Sequence, residues 1–247
     1  MKRDVFTQPE TLAFIHAIGE THTTAYTTRP LLLKGNTKTG DTGKKGLMRV
    51  TRGIPIHDCP NFSEACGREC YAIKYMIWNI GRSMDMGEHY SYLAHKKTAQ
   101  LYGTLKRDIM VLKAYPMPIV VRVHDAGDFV SVAHVRVYAK LAMEFPEVQF
   151  FGYTHSDMAG TIGRAILRMC KLPNVSFRES TDPSRPNASG KLPAAHYEPK
   201  PTAAAMKAKY PEGYFFCPEQ LSGPNCINCG LCWNKRLDHL AVVFKKH

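Results

Sequence analysis

The second half of the chain alternates between two periods. Residues 118–123 form a β-branched apolar run, and 132–143 then carry apolar positions at helical steps. Residues 148–153 and 175–177 repeat the strand pattern, with a helical stretch over 160–170 between them. Strand, helix, strand, helix, strand with short connections predicts right-handed βαβ units and a parallel sheet. Upstream, 47–56 reads as a strand with Pro55 near its end, where a proline is tolerated. Between about 84 and 114, Tyr92, Leu93, Leu101, Leu105, Ile109 and Leu112 recur at three- and four-residue steps, which predicts one long helix. Lys96, Lys97, Lys106, Arg107 and Lys113 fall mostly on its other face. Residues 11–18 and 71–78 have shorter helix-like patterns. Residues 182–205 read as a loop rich in Pro, Ser, Asn and Ala, and 214–216 and 240–244 read as further strands.

These elements predict an α/β protein with a partial or distorted (β/α) barrel of parallel strands and a cysteine-rich C-terminal segment. The expected parts are an N-terminal extension with a Gly/Lys loop (1–46), an α/β core (47–210) and the cysteine-rich segment (211–247). Polar residues gather where the strands end, which is where α/β folds place their sites. His124, Asp125 and Asp128 follow the 118–123 strand, Tyr153 and His155 end the next, and Arg178 and Glu179 follow the third. These seven are the candidate catalytic residues. His124 or His155 is the candidate for proton transfer, since an unperturbed imidazole titrates near neutrality. The plain alternative for each is a strand-end side chain bonded to backbone.

Composition narrows the class. A chain of 247 residues with 44 % hydrophobic and 22 % charged residues can bury a substantial core and is not of disordered type. No apolar run reaches the length of a membrane span, and Met1-Lys2-Arg3-Asp4 leads into polar residues with no signal-peptide core, so the expected compartment is the cytosol. The net charge of +12 suits an anionic partner such as nucleic acid or a nucleotide, or simply a basic surface. Nothing in the pattern speaks to oligomeric state.

A cytosolic setting changes how the eight cysteines are read, from disulfides to metal ligands. Cys170 sits in a helical pattern as a small buried hydrophobe. The other seven form two sets, Cys59, Cys66 and Cys70 spaced C-x6-C-x3-C, and Cys217, Cys226, Cys229 and Cys232 spaced C-x8-C-x2-C-x2-C. Three thiolates from one loop can hold a four-iron, four-sulfur cluster by three irons, leaving the fourth open. The C-terminal set matches a four-thiolate cluster. Zinc is the alternative there, because C-x2-C pairs also bind zinc. The two sets can also combine around a single structural metal that pins loops to the sheet. One or two iron–sulfur clusters are therefore expected. Between Gly35 and Gly46, glycines alternate with Lys and Thr in a cationic loop that could cradle an anion, though without the Walker spacing.

Two resemblances attach to these motifs. Gly35-Asn36-Thr37-Lys38-Thr39, Cys59-Pro60 with Cys66 and Cys70, Gly81-Arg82 and Val121-Arg122 together resemble the phage gene product 88 family, over about the first two thirds of the chain. That likeness implies no particular activity. A cysteine loop after the first strand, ending in Cys70-Tyr71 and followed by βα repeats, resembles radical S-adenosylmethionine enzymes. Some of those carry C-terminal cysteine-rich extensions. Their cysteine spacing is C-x3-C-x2-C, and their Gly-Gly-Glu step is here His124-Asp-Ala-Gly-Asp128. This second likeness implies S-adenosylmethionine as a cofactor; Asn36 and Lys38 of the Gly/Lys loop and Tyr71 after the cysteines are the cofactor-binding candidates. The expectation is a phage-type iron–sulfur protein, acting as an enzyme on a nucleotide or nucleic acid. Its rival is a non-enzymatic, metal-braced protein that binds nucleic acid or a host protein through Lys38, Lys44 and Lys45.

Overall fold

A computed structural model describes residues 30–70, 72–73, 80–198 and 200–245. Tyr71, the 11–18 pattern and most of the 71–78 pattern lie outside them. Nine strands form one sheet. They are β1 (Leu33–Lys34), β2 (Thr42–Gly43), β3 (Gly46–Val50), β4 (Ile119–Val123), β5 (Gln149–Thr154), β6 (Val175–Thr181), β7 (Ala194–Tyr197), β8 (Tyr214–Phe216) and β9 (Ala241–Phe244). The order is β1-β3-β4-β5-β6-β7-β9-β8, with β2 also on β3. β1 and β2 run antiparallel to β3, and all the remaining pairs are parallel. Among the described residues β1 and β8 end an open path, so the sheet is mixed, mostly parallel and not a closed barrel. It draws strands from all three parts expected of the chain.

The helices are α1 (Glu64–Glu69), α2 (Ile80–Lys96), α3 (Thr98–Leu112), α4 (Val132–Glu144), α5 (Thr161–Met169), α6 (Ala203–Lys209) and α7 (Cys226–Cys229). Among the described residues no helix is long and apolar enough to cross a membrane. β3 and β4 are buried at every position, as strands covered on both faces must be. Ile119, Val121 and Val123 of β4, with Phe150 and Phe177 from the next strands, face the main core with α3, α4 and α5. Val120, with Met48 and Phe151, faces the other way, against Ile227 and Trp233 of the C-terminal segment. The period of two sorts one strand between two covers. One cover is helical and the other is the cysteine-rich segment.

Three expectations are corrected. The stretch from 84 to 114 is two helices broken at Lys97, which adopts φ −140°, ψ 53° while the apolar steps continue across the break. The strand from 47 stops at Val50, and the chain then turns at 55–58, with Ile56 at φ 69°. The loop over 182–205 contains β7, whose Ala194 to His196 pair with Glu179 to Thr181, and the start of α6.

Candidate functional site

Seven parallel strands end on one rim, and a cavity of about 200 Å³ lies across it. Cys59, Cys66 and Cys70 line it, with His124, Asp125 and Asp128 beyond β4, Tyr153 and His155 at the end of β5, and Cys226 from the C-terminal set. The first cysteine loop and the polar ends of β4 and β5 thus meet in one place.

The cysteine loop is held there by strand-end side chains. Ser63 caps α1, its Oγ accepting from the Cys66 N–H at 3.0 Å while its hydroxyl donates to Asp182 just past β6. The Ala65 N–H donates to Ser184 Oγ at 2.9 Å. The Asp128 N–H donates to the Asp58 carbonyl at 2.6 Å, tying the turn before Cys59 to the β4 loop. Asp182 also takes the His155 Nε2 contact at 3.2 Å. Against the upward push of burial, the bonds from His155 and Ser63 hold its carboxyl down to about 2. Asp128 accepts from Thr154 Oγ1 at 2.9 Å and from the His155 N–H at 2.8 Å, yet burial raises its pKa.

Both cysteine sets are half-buried except Cys217, which is buried, and none of the eight cysteines is in a disulfide. Burial, then Cys70, pushes Cys66 up to about 12. Burial, Cys70 and Asp128 raise Cys59. In the second set burial raises Cys226 to about 12 against Arg122 and Lys38. Burial also raises Cys232 against Arg178, and Cys229 against Lys45. Cys217 raises all three of these thiols electrostatically. Unliganded, such thiols are protonated and poorly nucleophilic. A metal ion deprotonates a coordinating thiol outright. The first set lies beside carboxylates and the second beside cations.

The remaining candidates divide. Tyr153 lines the cavity beside the first set and packs with Cys226 and Cys232 of the second, with the Arg122 guanidinium 5.6 Å from its ring. Lys38 lines the cavity, with Nζ 3.8 Å from Glu219 and 5.1 Å from the Phe244 ring centre. Asn36 instead closes its own turn, its Oδ1 accepting from the Thr39 N–H at 3.0 Å. The Lys44 and Lys45 N–H groups go to Asn228 Oδ1 and the Ile227 carbonyl. The Gly/Lys loop therefore spends two backbone donors on clamping the cysteine segment. Arg178 and Glu179 lie within β6, not after it. Arg178 donates to the Leu240 and Leu237 carbonyls, and Glu179 accepts from Ser189 N–H and Oγ at 2.8 and 2.6 Å. Neither lines the cavity. Ser180, Thr181 and Asp182 occupy the true strand end and line it instead. The four consecutive polar residues from Arg178 to Thr181 hid the continuation of the strand.

His124 stands at φ 60° and is 4 % exposed. Tyr90 Oη lies 2.8 Å from His124 Nε2, 2.8 Å from His134 Nε2 and 2.7 Å from Tyr138 Oη. Tyr138 donates its proton to Thr51 Oγ1 at 3.1 Å. Tyr90 must therefore donate to Tyr138 and accept from both imidazoles, which fixes each histidine as the Nε2–H tautomer. Burial lowers His124 to about 3, so it stays neutral. That leaves His155, paired with Asp182, as the proton-transfer candidate.

Comparison with known proteins places these residues in context. A family model described as "Gene product 88" matches residues 30–235. The chain is similar to the "Gene 88 protein" of Mycobacterium phage D29, 28 % identical over 76 % of this chain and 83 % of that one. It is also similar to the "Gene 88 protein" of Mycobacterium phage L5, 26 % identical over the same shares. No solved structure matches.

Proposed function

The chain belongs to the gene product 88 family, and from that premise we propose that it is a phage iron–sulfur protein whose rim cavity acts on a nucleotide or nucleic acid. The observation that carries this reading is the convergence of Cys59, Cys66 and Cys70 on a cavity that Cys226 of the second set also lines. Three half-buried thiols on one short loop suit a cluster with one iron left for a ligand. S-adenosylmethionine at that iron would supply radical chemistry, and the placing of the cysteine loop at the ends of parallel strands supports that version. Cys217, Cys226, Cys229 and Cys232 suit a second cluster, with zinc as the alternative, and Lys38, Arg122 and Arg178 offset its thiolate charge. In the cavity, Lys38 and Arg122 offer cations to a phosphate, and His155 with Asp182 can hold or pass a proton.

The non-enzymatic reading has its own support. Lys34, Lys44 and Lys45 are exposed on the β1–β3 edge, which is clamped to the cysteine segment, so metal there would brace a basic surface. Anaerobic reconstitution separates the readings. Absorbance near ~400 nm with matched iron and sulfide is expected for thiolate-held clusters, and a colourless protein with stoichiometric zinc overturns the proposal. Loaded protein is then titrated with S-adenosylmethionine, where an unchanged spectrum removes the radical version. A steep salt dependence of nucleic-acid binding, with a slope that counts phosphates, favours the basic-surface reading.

A further inference from the structure

Outside the cavity, two imidazoles converge on one buried carboxylate. Asp58, 2 % exposed, sits in the turn just before Cys59. His95 Nε2, in the last turn of α2, lies 2.9 Å from Asp58 Oδ1, and His57 Nε2 lies 3.8 Å from the same oxygen. The two ring centres are 5.0 Å apart, and among the described residues these three groups bring ligand atoms within 4.8 Å of one another. None of them lines the cysteine cavity.

We propose that His57, Asp58 and His95 form a divalent transition-metal site of nitrogen and oxygen ligands, separate from both cysteine sets. Bonds of about 2.0–2.2 Å to imidazole and carboxylate put neighbouring ligand atoms about 2.9–3.5 Å apart, and the two observed separations bracket that range. The carboxylate is already aimed. Its Oδ1 accepts from Ser91 Oγ at 2.7 Å and its Oδ2 from the Ile54 N–H at 2.7 Å, the kind of outer contact that fixes a ligand's orientation. Gly53 leaves the space, since a Cβ there would stand 2.4 Å from Asp58 Oδ2. The His95 side chain is 29 % exposed, so the remaining coordination positions open toward water. Two imidazoles, one carboxylate and open positions suit zinc or ferrous iron rather than magnesium or calcium. An ion here pins the turn carrying Cys59 to the end of α2. Through the Asp58 carbonyl it also steadies the Asp128 loop.

The site does not depend on iron–sulfur chemistry, and cobalt(II) distinguishes the two. Titration of the full-length protein is expected to load one cobalt with weak ligand-field bands, besides any cobalt showing intense thiolate charge transfer. His95→Gln should lose that one equivalent and keep the thiolate bands. Ser91→Ala should weaken it about 10–100-fold, as outer-shell losses do, with circular dichroism confirming the fold of each variant. The proposal is overturned if wild type and His95→Gln bind the same number of cobalt ions with the same spectra. It is equally overturned if every bound cobalt carries thiolate charge transfer. Zinc or iron found on the cysteines leaves it untouched.

Discussion

A single hydroxyl holds the buried polar network behind the cavity. Tyr90 Oη accepts from His124 and His134 and donates to Tyr138, all three within 2.8 Å. Replacing Tyr90 with Phe leaves two buried imidazole N–H groups without an acceptor, at about 1–3 kcal/mol each. Urea unfolding should show a loss of about 2–6 kcal/mol for Tyr90→Phe, and a loss under about 1 kcal/mol would contradict these tautomers. The same network predicts a pH response. Burial lowers His124 to about 3 and, in β7, lowers His196 to about 4. An unfolded histidine titrates near 6.5. Below that pH the unfolded chain binds protons that the folded one refuses, so stability is full above about 6.5 and falls as pH drops toward the folded values. Unfolding midpoints measured from pH 7 to pH 5 should therefore decline, and less steeply for His124→Gln.

At the scale of elements, the sequence showed what repeats and hid what depends on distant partners. β4, β5, α4 and α5 were legible because apolar period and burial agree along their whole length. The break at Lys97 was not, because nothing local marks it. β6 read short because Arg178 and Glu179 look like loop residues until Leu240 and Ser189 are seen to satisfy them. The gathering of Cys59, Cys66, Asp128 and His155 at one rim was legible from strand-end logic, whereas the role of Asp182 was not. That residue reaches back 119 positions to Ser63. Ser63 is thus both the cap of α1 and the link from the cysteine loop to β6. Ser63→Ala should cost about 1 kcal/mol as a lost cap. It should also speed alkylation of Cys66 in the metal-free protein, while Cys170, remote from the loop, keeps its rate. Equal rates at Cys66 before and after the change would show that the loop is held some other way.

The whole molecule is a sheet with two unlike covers. On one face α3, α4 and α5 bury a continuous apolar core that includes Leu101, Leu105, Tyr138, Leu141 and Ile166. On the other, the segment between β8 and β9 has only short turns of three or four residues and a few apolar anchors, chiefly Ile227 and Trp233. Trp233 packs against Phe151 with the rings tilted by 39° and their centres 4.8 Å apart. Four thiols sit within this thin cover, so a bound metal would supply much of its cohesion, as in small domains where metal binding is folding energy. Removing metal is therefore expected to act on one face. In chelator-treated protein, amide exchange should accelerate across 217–237 and in the Gly/Lys loop clamped to it through Ile227 and Asn228, while α4 and α5 keep their protection. Trp233→Ala should act in the same place, at about 3–5 kcal/mol for a buried aromatic, and should lower metal retention by the C-terminal set. Uniform loss of protection over both faces would mean that the two covers fold as one unit.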